Sequence, residues 1–415
     1  SDGPSGCEGK PLPLILAVPD PLRAYQQLAA YHRKRFSIPM VAVTGSNGKT
    51  TTKEMVARVL GERYRVLVTE GNLNNRIGVP QTLLGLTSRH EAAVIEMGVD
   101  QKGQTTRLAE ITRPTIGIIT NIGPDHLEFF GTLEASAQAK GELLDLLPPD
   151  SAAVLNADDP YFGYLASRAR CQVLSFGFSE RAEVRASDVT SNKKGTHFRL
   201  MLPGRTKPMP VVLSAYGHHN VSNALAAAAV GHLCHFNGTK IALGLSRFRP
   251  AMMRSQVEKI GGVRLINDCY NANPASMRAA IDVLADLGTG GRTIAVLGDM
   301  LELGRDSAAL HHEVGGYVTE RRVFSLIACG PLARNLAEGA RAAGMSGDRI
   351  YEVGDAREAA AILASMIRVG DVVLVKGSRG MRMEQIVAVL YDRFAGRNVS
   401  RTTRRPRVLT KGSKH

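Results

Sequence analysis

The run Val41-Ala-Val-Thr-Gly-Ser-Asn-Gly-Lys-Thr-Thr-Thr52 constrains this chain more than any other stretch. Its apolar start predicts a buried strand, Gly45 and Gly48 a tight turn, and the residues from Lys49 onward the first turn of a helix. A strand that passes through a glycine turn into a helix N-terminus implies an α/β architecture and cradles phosphate. Backbone N–H groups approach the oxygens, the helix dipole favours the anion, Lys49 supplies a charge for the β- and γ-phosphates, and the Thr50 hydroxyl suits Mg²⁺. The usual spacing places the first glycine five residues before the Gly-Lys pair; here that position is Val43, and Gly45 is three back. The order of features predicts a site for ATP or a relative, formed by Gly45, Ser46, Asn47, Gly48, Lys49, Thr50 and Thr51.

Strand-like and helical runs then alternate through most of the chain. Strands are predicted at 40–43, 92–97, 116–121, 152–156, 293–297, 325–329 and 371–375, and helices at 51–60, 220–232, 275–287, 307–319 and 384–394. Such alternation predicts doubly wound, mainly parallel sheets. Between 173 and 212, short alternating runs with Gly and Pro predict a small antiparallel insertion. A break at 237–254 separates a central P-loop domain, 40–245, from a smaller Rossmann-like α/β domain, 246–395. Residues 1–39 read as a linker with one amphipathic helix at 21–34, and 396–415 as a basic, disordered tail.

A chain of 415 residues has room for two or three cores. The net charge of +14 resembles a nucleic-acid signal until it is located, because +8 of it lies in residues 393–415, which contain no acid. Specific nucleic-acid binding is therefore not expected. No apolar run reaches the roughly 18–20 residues that cross a bilayer, and the first ten residues do not read as a signal peptide. Cys7, Cys171, Cys234, Cys269 and Cys329 are scattered without a Cys-x-x-Cys pair, which suits a reducing cytoplasm. A monomer is expected.

Polar residues gather where predicted strands end, the place where α/β sheets present ligand sites. Glu96 closes Ala92-Ala-Val-Ile-Glu and suits a magnesium ion held on phosphate oxygens. His126, in Asn121-Ile-Gly-Pro-Asp-His-Leu127, reads as a metal or nucleotide contact. Lys140 by itself reads as an exposed helix lysine, and Asp158-Asp-Pro160 as a turn. In His218-His-Asn-Val-Ser-Asn223, Asn220 is either the cap of the following helix or a base contact. Three polar strand ends, at 266–274, 298–304 and 376–384, the last two with glycines, suggest a cleft between the two units.

Together these motifs resemble the Mur ligase family of ATP-dependent peptidoglycan precursor ligases. Thr44-Gly-Ser-Asn-Gly-Lys-Thr-Thr51, Glu96, Asp125-His-Leu127, Lys140 and His219-Asn-Val-Ser-Asn223 carry the family-wide likeness. Gly71-Asn-Leu-Asn-Asn75, Cys269-Tyr-Asn-Ala-Asn-Pro274, Gly298-Asp-Met-Leu-Glu-Leu-Gly304 and Lys376-Gly-Ser-Arg-Gly-Met-Arg-Met-Glu384 single out the branch that joins D-alanyl-D-alanine to UDP-N-acetylmuramoyl-tripeptide through an acyl phosphate. The resemblance implies ATP between the two units, with Thr50 and Glu96 on one Mg²⁺ and His126 on a second metal. It implies carbamylation of Lys140, which turns an amine into a metal-binding carboxylate. Lys49, Glu96, His126 and Lys140 would form the catalytic set, Asn223 would face adenine, and Arg254 and Asp268 would lie near the phosphates and ribose. Asn271, Asn273 and Lys376 would receive the dipeptide.

Two departures accompany it. Family members of this type begin with a domain that grips the UDP-sugar, and here only the helix at 21–34 precedes the phosphate loop. The arginine segment reads Met253-Arg-Ser-Gln-Val, where a Glu usually follows. A folylpolyglutamate synthase-like ligase would explain the short N-terminus but not the three second-unit motifs. A non-catalytic nucleotide-binding remnant would not explain why Lys49, Thr50, Glu96, His126 and Lys140 are all retained.

Overall fold

The computed structural model describes residues 17–125, 127–192 and 194–395. Its first sheet has nine strands: β1 (Met40–Thr44), β2 (Val66–Val68), β3 (Ala92–Glu96), β4 (Ile116–Ile119), β5 (Ala152–Asn156), β6 (Gln172–Gly177), β7 (Val184–Asn192), β8 (Gly195–Met201) and β9 (Met209–Leu213). Their order is β2-β3-β1-β4-β5-β6-β7-β8-β9. All pairs up to β6–β7 are parallel, and β7–β8 and β8–β9 are antiparallel. The antiparallel strands therefore extend one edge of this sheet, and they begin at β7, because β6 still pairs parallel with both neighbours.

β1 lies between β3 and β4, and Met40, Val41, Ala42 and Val43 are fully buried. Val41 and Val43 face the cluster of Met55, Val56, Val59 and Ala224–Val230, whereas Met40 and Ala42 face Val79, Leu83, Leu108 and Leu143. This two-residue alternation explains the run of apolar residues: a parallel strand covered on both faces has no solvent side. The sheet's order also reverses at β1, since the chain goes to β3 on one side and β4 on the other. The loop after β1 thus opens at a switch point, where sheets of this kind bind ligands.

The helix Pro21–Arg33 packs onto this unit through Ala29 and Arg33. Buried Arg33 donates to the carbonyls of Thr112 (2.8 Å) and Arg113 (3.1 Å), at the C-terminus of the helix Gln104–Thr112, where a cation meets exposed carbonyl groups. The helix Gly238–Ser246, capped by Asn237, closes the unit.

A second sheet holds β10 (Gln256–Ile260), β11 (Val263–Asp268), β12 (Thr293–Gly298), β13 (Ser325–Cys329), β14 (Ile350–Val353) and β15 (Val372–Lys376), in the order β10-β11-β15-β12-β13-β14. Only β10 is antiparallel. The two units touch where Asn273 donates to Asn47 and where the Glu128 N–H donates to the Glu302 carbonyl (3.2 Å). Among the described residues, no helix is long and apolar enough to cross a membrane.

Candidate active site

The phosphate loop begins where β1 runs out of sheet. Gly45 (φ +134°) and Gly48 (φ +81°) occupy backbone that a side chain disfavours, and both positions are crowded. A Cβ on Gly45 would lie 2.0 Å from Thr120 Oγ1, and one on Gly48 2.3 Å from Asn223 Oδ1. The N–H groups of Ser46 and Asn47 donate to the Asn121 carbonyl and to Asn121 Oδ1, each at 2.9 Å. These two amides hold the loop to the end of β4 rather than facing a ligand. Gly48 caps the helix Lys49–Leu60 without any side-chain bond, so the first-turn N–H groups are left for an anion. Lys49 Nζ folds back onto the carbonyls of Gly45 (2.6 Å) and Ser46 (3.1 Å), inside the arc of the loop.

Beside the loop stand two buried carboxylates. Glu96 Oε1 accepts from Thr50 Oγ1 (3.1 Å) and Asn74 Nδ2 (2.8 Å), while Oε2 has no hydrogen bond and lies 3.7 Å from Lys53 Nζ. Asp125 Oδ1 accepts from Ser46 Oγ (2.5 Å) and Lys140 Nζ (3.0 Å), and its Oδ2 is likewise without a hydrogen bond. Burial opposes the charge on Asp125, but Lys140, Lys49 and the Ser46 bond outweigh it and bring the carboxyl below its usual range. An orphaned buried oxygen on each of two carboxylates fits cation binding, since leaving such an atom unsatisfied is costly. Among the described residues no three His, Cys, Asp or Glu side chains cluster as a metal cage. Mg²⁺ keeps waters and phosphate oxygens and needs only one or two carboxylates. Expected residue His126 lies outside the described residues.

Lys140 is not the exposed helix lysine its local sequence suggests. It is fully buried on the helix Leu133–Asp145, bonded to Ser136 Oγ (2.6 Å) and Asp125, with the Phe130 ring centroid 4.7 Å away. Burial pushes its amine down to about 8, with Asp125 opposing and Lys49 adding to the effect. The missing signal was tertiary: nothing within one turn of the helix reveals that Asp125 stands opposite.

From the second unit, Asp268 at the end of β11 pairs with Lys376 Nζ at the end of β15 (2.6 Å), and it accepts from the Ser255 N–H (2.7 Å). Burial works against its charge, but Lys376 holds the carboxyl below its usual range. Lys376 Nζ also donates to the Asn271 carbonyl (2.7 Å), so this buried amine is held within its own unit. Arg254 lies over the Tyr270 ring, 3.7 Å from its centroid, between Met253 (φ +60°) and Ser255 (φ +47°). The Asn271 side chain is exposed, whereas Asn273 is buried.

One cavity of about 1350 Å³ is walled by Ser46, Asn47, Gly48, Lys49, Thr50, Thr51, Glu96, Asp125 and Asn223 on one side and by Arg254, Asp268, Asn271, Asn273 and Lys376 on the other, whereas Gly45 and Lys140 stand behind its wall. Asn223 also accepts from Thr52 Oγ1 (3.1 Å), placing its amide against the loop. Asn220 does not cap its helix: Gly217 does, and the Asn220 amide donates to the Tyr216 carbonyl (2.8 Å). Lys53, Asn74 and Asn121 were missed as site residues. Lys53 reads as a surface helix lysine, yet it is 1% exposed and donates to the Thr69 carbonyl (2.7 Å).

The same architecture recurs among known proteins. The Mur ligase middle domain pattern matches residues 43–231, and the Mur ligase, glutamate ligase domain pattern matches 253–379. A UDP-N-acetylmuramoyl-tripeptide–D-alanyl-D-alanine ligase of Bacillus subtilis is 36% identical over 379 residues, covering 91% of this chain and 81% of its own. This chain belongs to the Mur ligase family. The Escherichia coli protein described by the same words is 34% identical over 399 residues, with 91% and 82% covered. Among solved structures, MurF from Acinetobacter baumannii superposes with a TM-score of 0.84 at 33% identity, covering 91% of this chain and 82% of that one. The MurF ligase from Thermotoga maritima, in complex with ADP, gives 0.83 at 28%, covering 94% and 88%. Folylpolyglutamate synthase from Mycobacterium tuberculosis is similar in fold alone, at 16% identity and a TM-score of 0.68.

Proposed function

We propose that this Mur ligase joins D-alanyl-D-alanine to UDP-N-acetylmuramoyl-tripeptide with ATP, a step of peptidoglycan precursor synthesis. The observation that carries the reading is the shared cavity, in which a phosphate loop faces the polar ends of β11 and β15 of a second unit; the third polar strand end, 298–304 after β12, does not line it. The relatives' names supply the two substrates. The residue limits 40–245 and 246–395 mark the two working domains, and the enzyme acts as a monomer in the cytoplasm.

ATP lies along the loop with its phosphates on the first turn of Lys49–Leu60, and Lys49 leaves the carbonyls of Gly45 and Ser46 to meet them. Thr50 and Glu96 would hold one Mg²⁺, and Asp125, His126 and a carbamylated Lys140 a second ion, and these ions would neutralise the charge of the triphosphate. The terminal carboxylate of the tripeptide attacks the γ-phosphorus, releasing ADP and leaving an acyl phosphate. The amine of D-alanyl-D-alanine then adds to the acyl carbon, and phosphate departs as the amide forms. The protein contributes position and fixed charge more than covalent chemistry. Asn223 and Arg254 hold the nucleotide, and Asn271 reaches the dipeptide from the opposite wall. With an amine near 8, Lys140 offers far more neutral nitrogen to dissolved CO₂ than an ordinary lysine does. Incubation with each candidate amine, with ATP consumption and product mass recorded, tests the reading: only D-alanyl-D-alanine is expected to give a pentapeptide.

A further inference from the structure

Asn273, expected to receive the dipeptide, is placed differently by its contacts. It is the N-cap of the helix Pro274–Leu287: its Oδ1 accepts from the Ser276 N–H (2.9 Å), and Ser276 Oγ accepts from the Asn273 N–H (3.0 Å). The cap fixes which way the amide points, because only the oxygen can serve the helix end. The Nδ2 is thereby presented across the domain boundary, where it donates to Asn47 Oδ1 at 2.8 Å. Asn47 is itself clamped. Its N–H meets Asn121 Oδ1, and its carbonyl accepts from Thr120 Oγ1 (2.6 Å) and Asn121 Nδ2 (3.0 Å). The next residue, Gly48, is the cap of the phosphate-binding helix.

We propose that Asn273 is the latch by which the second unit docks on the phosphate loop, a positioning residue and not a ligand of the incoming amine. The bond joins two helix N-termini, one from each unit, through a pair of side-chain amides. Asn273 is 7% exposed and Asn47 half-buried, so the latch at the cavity wall is partly shielded from water, which strengthens a hydrogen bond. A nucleotide touching both walls of the cavity binds the docked arrangement better than the open one. Docking and nucleotide affinity are then one coupled equilibrium, and the latch biases it. This rests on the nucleotide-binding part of the function proposed above.

The informative variant is Asn273→Ser. Serine caps helices as well as asparagine does and is neutral, but it is too short to reach Asn47. Asn47→Ala removes the other half, and the double variant completes a cycle. ADP affinity by calorimetry, melting temperature, the radius of gyration by small-angle scattering with ADP, and the KM for D-alanyl-D-alanine are measured for each. N273S is expected to melt like the parent, to bind ADP roughly tenfold more weakly, and to be more extended with ADP. Its KM for the dipeptide should be unchanged at saturating ATP, and the double variant should bind ADP no worse than the weaker single one. A raised dipeptide KM with parental ADP affinity and dimensions would make Asn273 a substrate ligand and overturn the latch. Simple multiplication of the two ADP effects would also overturn it. If the parent binds ADP but forms no pentapeptide, the proposed substrates are wrong, while the ADP cycle still decides the latch.

Discussion

Replacing Gly48 by alanine should damage nucleotide binding far more than folding. At φ +81° an L-residue in left-handed backbone costs about 1–2 kcal/mol. The new Cβ would lie 2.3 Å from Asn223 Oδ1 and 3.1 Å from Asn223 Cγ, so that amide must swing away. It then gives up the bond from Thr52 Oγ1 (3.1 Å), worth about 1 kcal/mol. If the loop relaxes to escape about 2–3 kcal/mol of strain, it loses the shape that fits phosphate. ADP affinity should fall by roughly thirty- to a hundredfold, at 1.4 kcal/mol per decade. Gly131→Ala is the matched control. Gly131 is also left-handed (φ +76°), but nothing lies within 4 Å of its would-be Cβ. That variant should lose about 1–2 kcal/mol of stability and bind ADP normally. Calorimetric titration with ADP and thermal unfolding of both proteins separate the two effects. Should G48A bind ADP like the parent, the assignment of this turn to the nucleotide phosphates is refuted.

Three further perturbations follow from the buried charges. Lys140 should take up ¹³C-labelled bicarbonate as a carbamate visible by NMR. At fixed dissolved CO₂ the signal should rise with pH as the neutral amine forms and level off above about 8, and Lys140→Arg should abolish it; no adduct at pH 9 would remove Lys140 from that role. Lys53→Met takes away the ammonium 3.7 Å from Glu96 Oε2 and the donor to the Thr69 carbonyl. It should change Mn²⁺ affinity in titrations with ADP by several-fold, and the effect should vanish in an E96Q background. Lys376→Met leaves Asp268 buried without its cation and should destabilise the protein by about 3–5 kcal/mol; a melting temperature equal to the parent's would show that the pair does not hold β11 to β15.

The parts of this protein legible in its sequence are those whose cause is local. β1, β3, β4 and β5 declare themselves by unbroken apolar residues, because a strand buried on both faces has no polar side. The helix Lys49–Leu60 is legible to within two residues, since glycine and the first-turn residues mark its start. The edge strands β2, β10 and β14 carry weaker signals: they are short or half exposed, and they pair only on one side. At the site, Gly45, Gly48, Lys49 and Thr50 announce themselves by spacing. Lys140, Lys53 and Asn74 do not, because what distinguishes them is a carboxylate brought from another strand. Asn273 shows the converse, for its motif points to a ligand while its contacts reach Asn47, 226 positions away in sequence.

The most direct test of the account is phosphate release with ATP, Mg²⁺, UDP-N-acetylmuramoyl-tripeptide and D-alanyl-D-alanine, with the product followed by mass spectrometry. Release should require both substrates, with a UDP-N-acetylmuramoyl-pentapeptide formed one for one with phosphate. Phosphate release that is indifferent to the dipeptide, or tight nucleotide binding with no pentapeptide, would contradict it.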